Sequence, residues 1–263
     1  MNTKNPLPLV TIAISNLNSG YSIKNTLDSI ICQDYKDVEI IVIDGGSVDE
    51  SLDILLEYKK YIKYFVSECD LGISDAFNKA IKNSSGDYIN FLGAGDCIIN
   101  SNGISRMIYG IDKYSDMLIS AGIYRTTNNL PIKIIGKYPS KFRDSFTKTK
   151  LLFSMSLPHQ GLFTNRLFFE AYGLFDVNVK YSMDYEILLR AYRDFPRVIL
   201  RNFYFASWVE GGIGTDKTFE ILNEYTSIKL KNYVTYPWAI YLIHFYMKFK
   251  FITKYLLTKV FSL

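Results

Sequence analysis

Histidine occurs only twice in the 263 residues, at His159 and His244, and cysteine three times, at Cys32, Cys69 and Cys97. Cysteines that are odd in number and scattered, without metal-ligand spacing, argue against a disulfide framework or a zinc site and fit a reduced, cytosolic chain. Gly-x-Gly-x-x-Gly is absent, and so is a Gly-x-x-x-x-Gly-Lys-Ser/Thr phosphate loop, which removes the two commonest nucleotide-binding signatures of α/β chains. Met1–Pro6 has no apolar core of signal-peptide length, so no secretion signal is expected. The uncharged run Tyr233–Met247 contains Pro237 and falls short of the ~20 residues needed to span a bilayer. Acidic residues stop at Glu224, while Lys229, Lys231, Lys248, Lys250, Lys254 and Lys259 follow it. Without those six the remaining 24 Lys and Arg face 26 Asp and Glu, so the net charge of +4 belongs to the tail. No nucleic-acid-binding face is expected.

What is present is globular: 48% hydrophobic and 21% charged residues, enough for one large α/β domain or two small ones. Tyr and Phe number 21 and 18; they suit stacking on sugars and bases, and equally a core and an interface. Apolar, β-branched runs at Val10–Ser15, Val38–Ile43, Ile62–Val66 and Tyr88–Leu92 alternate with helical spacing at Ile23–Ile31, Val48–Tyr58 and Ser74–Lys82. That order predicts a Rossmann-like, mostly parallel sheet covered on both faces, with ligands at the carboxyl ends of its strands. Beyond Asp96 the pattern predicts a helix at Ser101–Tyr109 and strands at Met117–Ser120 and Val198–Phe205. Shorter β-like pieces surround Tyr124 and Ile132–Ile135, a basic loop spans Lys141–Lys150, and Asn165–Tyr172 and Asp184–Arg193 have helical spacing. No Pro/Gly/Ser-rich linker divides the chain, so one domain over 1–215 is expected, with one lobe at about 9–97 and a second at about 98–215. A helical, basic and aromatic segment, 216–263, would follow it.

Polar clusters sit where the first, second and fourth strands should end: Ser15-Asn16-Leu17-Asn18, Asp44-Gly45-Gly46-Ser47-Val48-Asp49, and Gly93-Ala94-Gly95-Asp96. A carboxylate at Asp44 can accept the imide N–H of uracil; the same cluster can also be a strand-to-helix turn in which Ser47 or Asp49 caps the helix. Asp96 can hold a divalent cation against a diphosphate. The runs Ile43–Asp49, Ser67-Glu68-x-Asp70-x-Gly72-Ile73-x-Asp75-Ala76-Phe77-Asn78-Lys79 and Gly86-Asp87-Tyr88-Ile89-x-Phe91-Leu92 closely resemble family 2 glycosyltransferases of the GT-A fold. The bacterial members that build O-antigen, lipopolysaccharide, capsule and exopolysaccharide are the most similar. The resemblance is strong over Leu9–Asp96 and looser over Leu157–Gly214.

It implies an inverting transfer of a hexose or N-acetylhexosamine from a UDP-sugar to a glycan, expected to be a lipid-linked intermediate. It also implies that Asp44 contacts uracil and Asn18 lines the nucleotide pocket, with Gly45 and Ser47 in the same cluster. Asp70, Asp75 and Asn78 would lie near the donor, His159 near its phosphates, and Asp96 in the motif that holds Mg²⁺ or Mn²⁺. Two departures stand out: only Asp96 matches the family's paired acids, Gly93 and Gly95 standing beside it, and Met183 replaces the Glu of the family's Glu-Asp pair. By that alignment Asp184 is the catalytic base; read without it, Asp184 is a helix N-cap. Glu210-Gly211-Gly212-Ile213-Gly214 resembles a glycine motif that closes over the site. The tail predicts short interfacial pieces, lysines on anionic lipid and aromatic rings at headgroup level, placing the protein in the cytoplasm on the inner face of the plasma membrane. The same tail also reads as a helix packed on the domain or on a partner copy. A non-catalytic nucleotide-sugar or glycan scaffold is the alternative function; a nucleotidyltransferase would need a basic glycine-rich loop that Leu17–Tyr21 does not supply.

Overall fold

The computed structural model describes residues 7–127, 132–212, 214, 216–233 and 236–260, the last seven of these by backbone only. Four parallel strands open the chain: β1 (Val10–Asn16), β2 (Val38–Asp44), β3 (Tyr64–Ser67) and β4 (Tyr88–Gly93), side by side in the order β3-β2-β1-β4. Successive side chains of a strand point to opposite faces. Ala13, Ile41, Ile43, Ile89 and Phe91 therefore bury against α3 (Ile73–Asn83), through Ala76, Phe77, Ala80 and Ile81. Their neighbours Ile12, Ile14, Ile40, Val42 and Leu92 bury on the other side against α1 (Ser22–Ile31), α2 (Ser51–Glu57) and α4 (Gly103–Ile108). Burial on both faces explains why these strands read as continuous apolar runs.

The sheet does not stop at β4. β8 (Leu162–Asn165) joins it antiparallel, followed by β6 (Leu118–Thr126), β9 (Val198–Val209) and the short β5 (Cys97–Ile98), while β7 (Ile134–Tyr138) pairs with β6. The nine strands among the described residues thus form one sheet. Of the longer elements, α2 begins at Ser51 and not Val48, because the residues before it are held in a loop: Asp44 Oδ2 accepts from the Gly46 and Ser47 amides, and Asp49 Oδ1 from Ser51.

The C-terminal part corrects the expected short pieces. α5 (Arg166–Tyr172), α6 (Met183–Arg190) and α7 (Thr218–Asn232) lead to α8 (Pro237–Val260), one helix of 24 residues. Pro237, read from the sequence as an interruption, is its first residue, where a fixed φ and a missing N–H cost nothing. One side of α8 lies on α7: Ile240 is buried, His244 Nδ1 shares a hydrogen bond of 2.7 Å with Thr226 Oγ1, and Phe251 meets Phe219 edge-on. Two tail lysines are also engaged by the domain, one by burial and one by an ion pair. Burial brings the Lys229 ammonium down to about 8, and Lys231 pairs with Asp176 at 2.9 Å. Among the described residues no helix is long and apolar enough to cross a membrane.

Candidate active site

The parallel register sets Asn16, the last residue of β1, beside Asp44, the last of β2. Asp44 is wholly buried, and five donors converge on its carboxylate: Asn16 Nδ2 at 2.6 Å, Ser67 Oγ at 2.6 Å, the Gly46 and Ser47 amides, and Ser47 Oγ. Burial opposes its ionisation, but the donors of Ser47, Ser67 and Asn16 outweigh that and hold Asp44 below the usual carboxylate range. A carboxylate offers about four lone-pair sites, so none is left for a uracil N–H. The expected Asp44–uracil contact is corrected: Asp44 fastens the ends of β1, β2 and β3 to one another. Ser47 is part of the same knot, its Oγ accepting from Asn18 N at 2.8 Å and Asn16 Nδ2 at 3.2 Å. Removing Asp44 would strand these donors at about 1–3 kcal/mol each.

Asn18 sits above the knot in the left-handed region, at φ 45, which asparagine tolerates, and its Oδ1 accepts from Val48 N at 2.9 Å. Gly45 lies under Asp70; a side chain there would meet Asp70 Oδ2 at 3.0 Å. Asp70 caps its own turn through Gly72 N, and Asp75 pairs with Lys79 at 3.2 Å. Neither lines the main cavity. Asn78 is also corrected from donor contact to staple. Its side chain is buried, Nδ2 donates to Phe175 O and Oδ1 accepts from Phe175 N, both at 2.9 Å, so both ends of the amide are taken.

Four of the singled-out residues do meet on the wall of one cavity of about 860 Å³: Asn18, Asp96, His159 and Asp184. Asp96 arrives on the turn after β4, buried, with Oδ2 accepting from Gly93 N at 3.0 Å and Oδ1 from Val209 N at 3.3 Å. Burial pushes its carboxyl up to about 6, the backbone donors and Gln160 opposing. His159 and Gln160 stand on a single 3₁₀ turn, His159–Gly161, between β4 and β6. That turn needs Gly161, since a Cβ there would lie 2.4 Å from Ala121 O. The His159 ring stacks on Phe91 at 5.5 Å; burial lowers its pKa against the pull of Asp184, so it is neutral, and Nε2 is buried without a hydrogen-bond partner.

Asp184 lies inside α6, after its N-cap Ser182, and its Oδ1 accepts from Tyr185 N at 2.8 Å. The N-cap reading is therefore replaced by a first-turn carboxylate facing the cavity. Glu186 is fully buried and pairs with Arg190, whose Nη1 also reaches Tyr172 O and Leu174 O; the pair is structural. Sequence reasoning missed Arg125, Tyr138, Tyr181, Trp208 and Tyr225 on the cavity wall. Arg125 stacks over Trp208 at 5.3 Å and pairs with Glu210 at the rim, a contact across 85 residues that no local motif announces. Of the glycine-rich segment, Gly211, Gly212 and Gly214 line the cavity, and Ile213 lies outside the described residues.

Among the described residues no group of three His, Cys, Asp or Glu side chains could hold a metal. Asp96 is a buried acid without an ion pair among the described residues, and Mg²⁺ is commonly held by one or two carboxylates plus substrate phosphates and water. The residues fit a cation on those terms.

The sequence profile of "Glycosyl transferase family 2" matches residues 11–169. A Mycobacterium tuberculosis protein, "PGL/p-HBAD biosynthesis glycosyltransferase", is 28% identical over 223 residues, 81% of this chain and 82% of its own. An uncharacterized glycosyltransferase of Rickettsia prowazekii is 32% identical over 194 residues, 71% of this chain and 59% of its own. Among solved structures, S. aureus TarS in complex with UDP-GlcNAc superposes with TM-score 0.67 at 16% identity, over 90% of this chain and 71% of that one. A Pyrobaculum calidifontis mannosyltransferase in complex with GDP-Man and Mn²⁺ gives 0.65 at 16%, over 91% and 69%. The chain belongs to glycosyl transferase family 2, and it is a transferase built on the GT-A fold.

Proposed function

We propose that the chain moves a hexose or N-acetylhexosamine, with inversion, from a UDP-sugar to a glycan acceptor carried on a lipid, in building a bacterial surface polysaccharide. The observation that carries this reading is the convergence of Asn18, Asp96, His159 and Asp184 on one cavity at the carboxyl ends of β1 and β4. TarS bound to UDP and to UDP-GlcNAc supports the uridine donor. Loops 16–18 and 45–48, fixed by Asp44, hold the nucleoside, and Asn18 and His159 line the donor's path. Asp184 takes the proton of the acceptor hydroxyl as its oxygen bonds to the anomeric carbon, and the bond from that carbon to the diphosphate breaks with its electron pair leaving on UDP. Asp96 would hold Mg²⁺ or Mn²⁺ against the donor's phosphates, and the cation would supply charge neutralisation for the departing diphosphate. The neutral His159 can meet a phosphate oxygen only as a donor, which its unpartnered Nε2 allows. Calorimetry with UDP and GDP tests the donor, together with UDP release from a panel of UDP-hexoses and UDP-N-acetylhexosamines. UDP should bind at least tenfold tighter; equal affinities would remove the uridine assignment.

The 98–215 lobe holds the acceptor, and α8 rests on the cytoplasmic membrane surface. Trp238, Leu242, Phe245, Phe249 and Ile252 follow a spacing of four and three along α8 and are all exposed, with Lys248 and Lys250 beside them. Such a stripe of rings flanked by cations suits an anionic interface. Deleting α8 would remove the buried Ile240 and break the Thr226–His244 hydrogen bond to α7, so point changes are the cleaner probe. Trp238→Ser, Phe245→Ser and Phe249→Ser together should cut sedimentation with phosphatidylglycerol vesicles at least tenfold at an unchanged melting temperature. Unaltered sedimentation would detach α8 from the lipid surface.

A further inference from the structure

A second cavity, of about 670 Å³, adjoins the first and shares Tyr138 and Pro158 with it as a common wall. It is formed by the end of β7, the loop that follows and the 3₁₀ turn Lys148–Leu152, and its character is cationic. Lys137, Lys141, Arg143 and Lys150 all line it, and none of the four has an ion pair among the described residues. Asp144, the acid in the same loop, lines a neighbouring cavity with Lys148 and Arg197. The cations are close enough to act on one another: burial and the charge of Arg143 together lower the Lys150 ammonium. Like charges gathered without a counter-charge raise the free energy of the empty protein, and an anion relieves it.

Two more observations point to a ligand. Ser156 Oγ, on the wall of this cavity, is buried with no hydrogen-bond partner. The loop itself is braced rather than loose, with Tyr204 OH donating to Pro139 O at 2.9 Å and the Phe142 ring 4.9 Å from that of Tyr204. Its flank is apolar: Phe153 lines the groove and is exposed.

We propose that this groove binds the phosphate ester of the acceptor, the group joining the acceptor sugar to its carrier, and so points the acceptor hydroxyl past Tyr138 into the donor cavity. Resting on the transferase reading above, this assignment names the acceptor as a glycosyl phosphate or diphosphate. Lys141, Arg143 and Lys150 grip the phosphate oxygens, Arg143 with its planar fork, while Phe153 faces the first carbons of a lipid carrier.

Farnesyl diphosphate, inorganic diphosphate and farnesol serve as probes, titrated into the full-length protein with UDP saturating the donor site so that no probe binds there. Farnesyl diphosphate should bind at least tenfold tighter than farnesol. The triple variant K141Q/R143Q/K150Q should lose at least tenfold of that affinity while its UDP affinity and melting temperature stay unchanged. Inorganic diphosphate binding as tightly as farnesyl diphosphate would support a soluble phosphate source; weaker binding would support a lipid one. Wild-type farnesyl diphosphate affinity in the triple variant, or farnesol binding equally well, overturns the proposal. So does loss of phosphatidylglycerol vesicle binding in a triple variant whose parent ignores farnesyl diphosphate, since the groove then serves membrane headgroups. Failure of the donor reading shows separately, as absent UDP binding, and the probes are also titrated without UDP.

Discussion

Asp184→Asn is expected to lower transfer by roughly 10²–10⁴, the usual contribution of a positioned general base, which is about 3–5 kcal/mol of barrier. The substitution removes a proton acceptor and little else. Asp184 is not the cap of α6, and the one hydrogen bond its carboxylate accepts among the described residues, from Tyr185 N, can pass to the Asn Oδ1. Melting temperature should hold, and UDP affinity should stay within a few-fold, because the base works on the acceptor. The measurement is a transfer rate beside a calorimetric UDP titration on the same variant. Wild-type transfer would take Asp184 out of the mechanism; Glu186 could not replace it, being buried against Arg190.

The second large effect belongs to Asp96. Asp96→Asn should reduce metal-stimulated transfer by roughly 10³ or more, since several kcal/mol of leaving-group stabilisation would be lost with the cation. Full turnover of the wild type in excess EDTA would give Asp96 another task. The same residue carries a stability signature that needs no substrate. Burial raises its carboxyl from 3.8 to about 6, so the folded chain holds this proton more tightly than the unfolded chain. The stabilisation is complete below pH 3.8 and is lost as pH rises through about 6; a shift of this size corresponds to about 3 kcal/mol. Urea unfolding in EDTA from pH 3.5 to 8 should show that decline in the wild type and its absence in Asp96→Asn. Identical pH profiles would mean that Asp96 stays ionised throughout.

How much of this was legible in the chain follows from the range of the interactions. Strands buried on both faces read directly, because Ile12, Ile14, Ile41 and Ile43 carry the signal locally. The cluster at Asp44 could be found but not its use, since its donors Asn16 and Ser67 reach it only through the parallel register of β1, β2 and β3. β8 escaped notice because four residues after a glycine carry too little pattern to separate from a loop. Lys229 misleads any reading by residue type: a lysine counted for the surface is buried between α7 and its neighbours. The acceptor side is the least legible part, because Arg125, Tyr138 and Trp208 become neighbours only when β6, β7 and β9 are assembled.

The antiparallel join of β8 to β4 has a consequence for how such a transferase diversifies. With Asn90 opposite Phe163 and Tyr88 opposite Asn165, the parallel strands β1 to β4 and the later strands β6, β8 and β9 are laced into one sheet. Opening and closing must fall to the segments at the rim, not to rotation of one half on the other. Residues 139–147, between β7 and the turn at Lys148, lie outside the sheet and are mostly exposed, so their length and charge can drift under selection while Asp96 and Asp184 keep their relative position. New glycan acceptors can then be recruited by rewriting one exposed stretch, leaving the chemical step untouched.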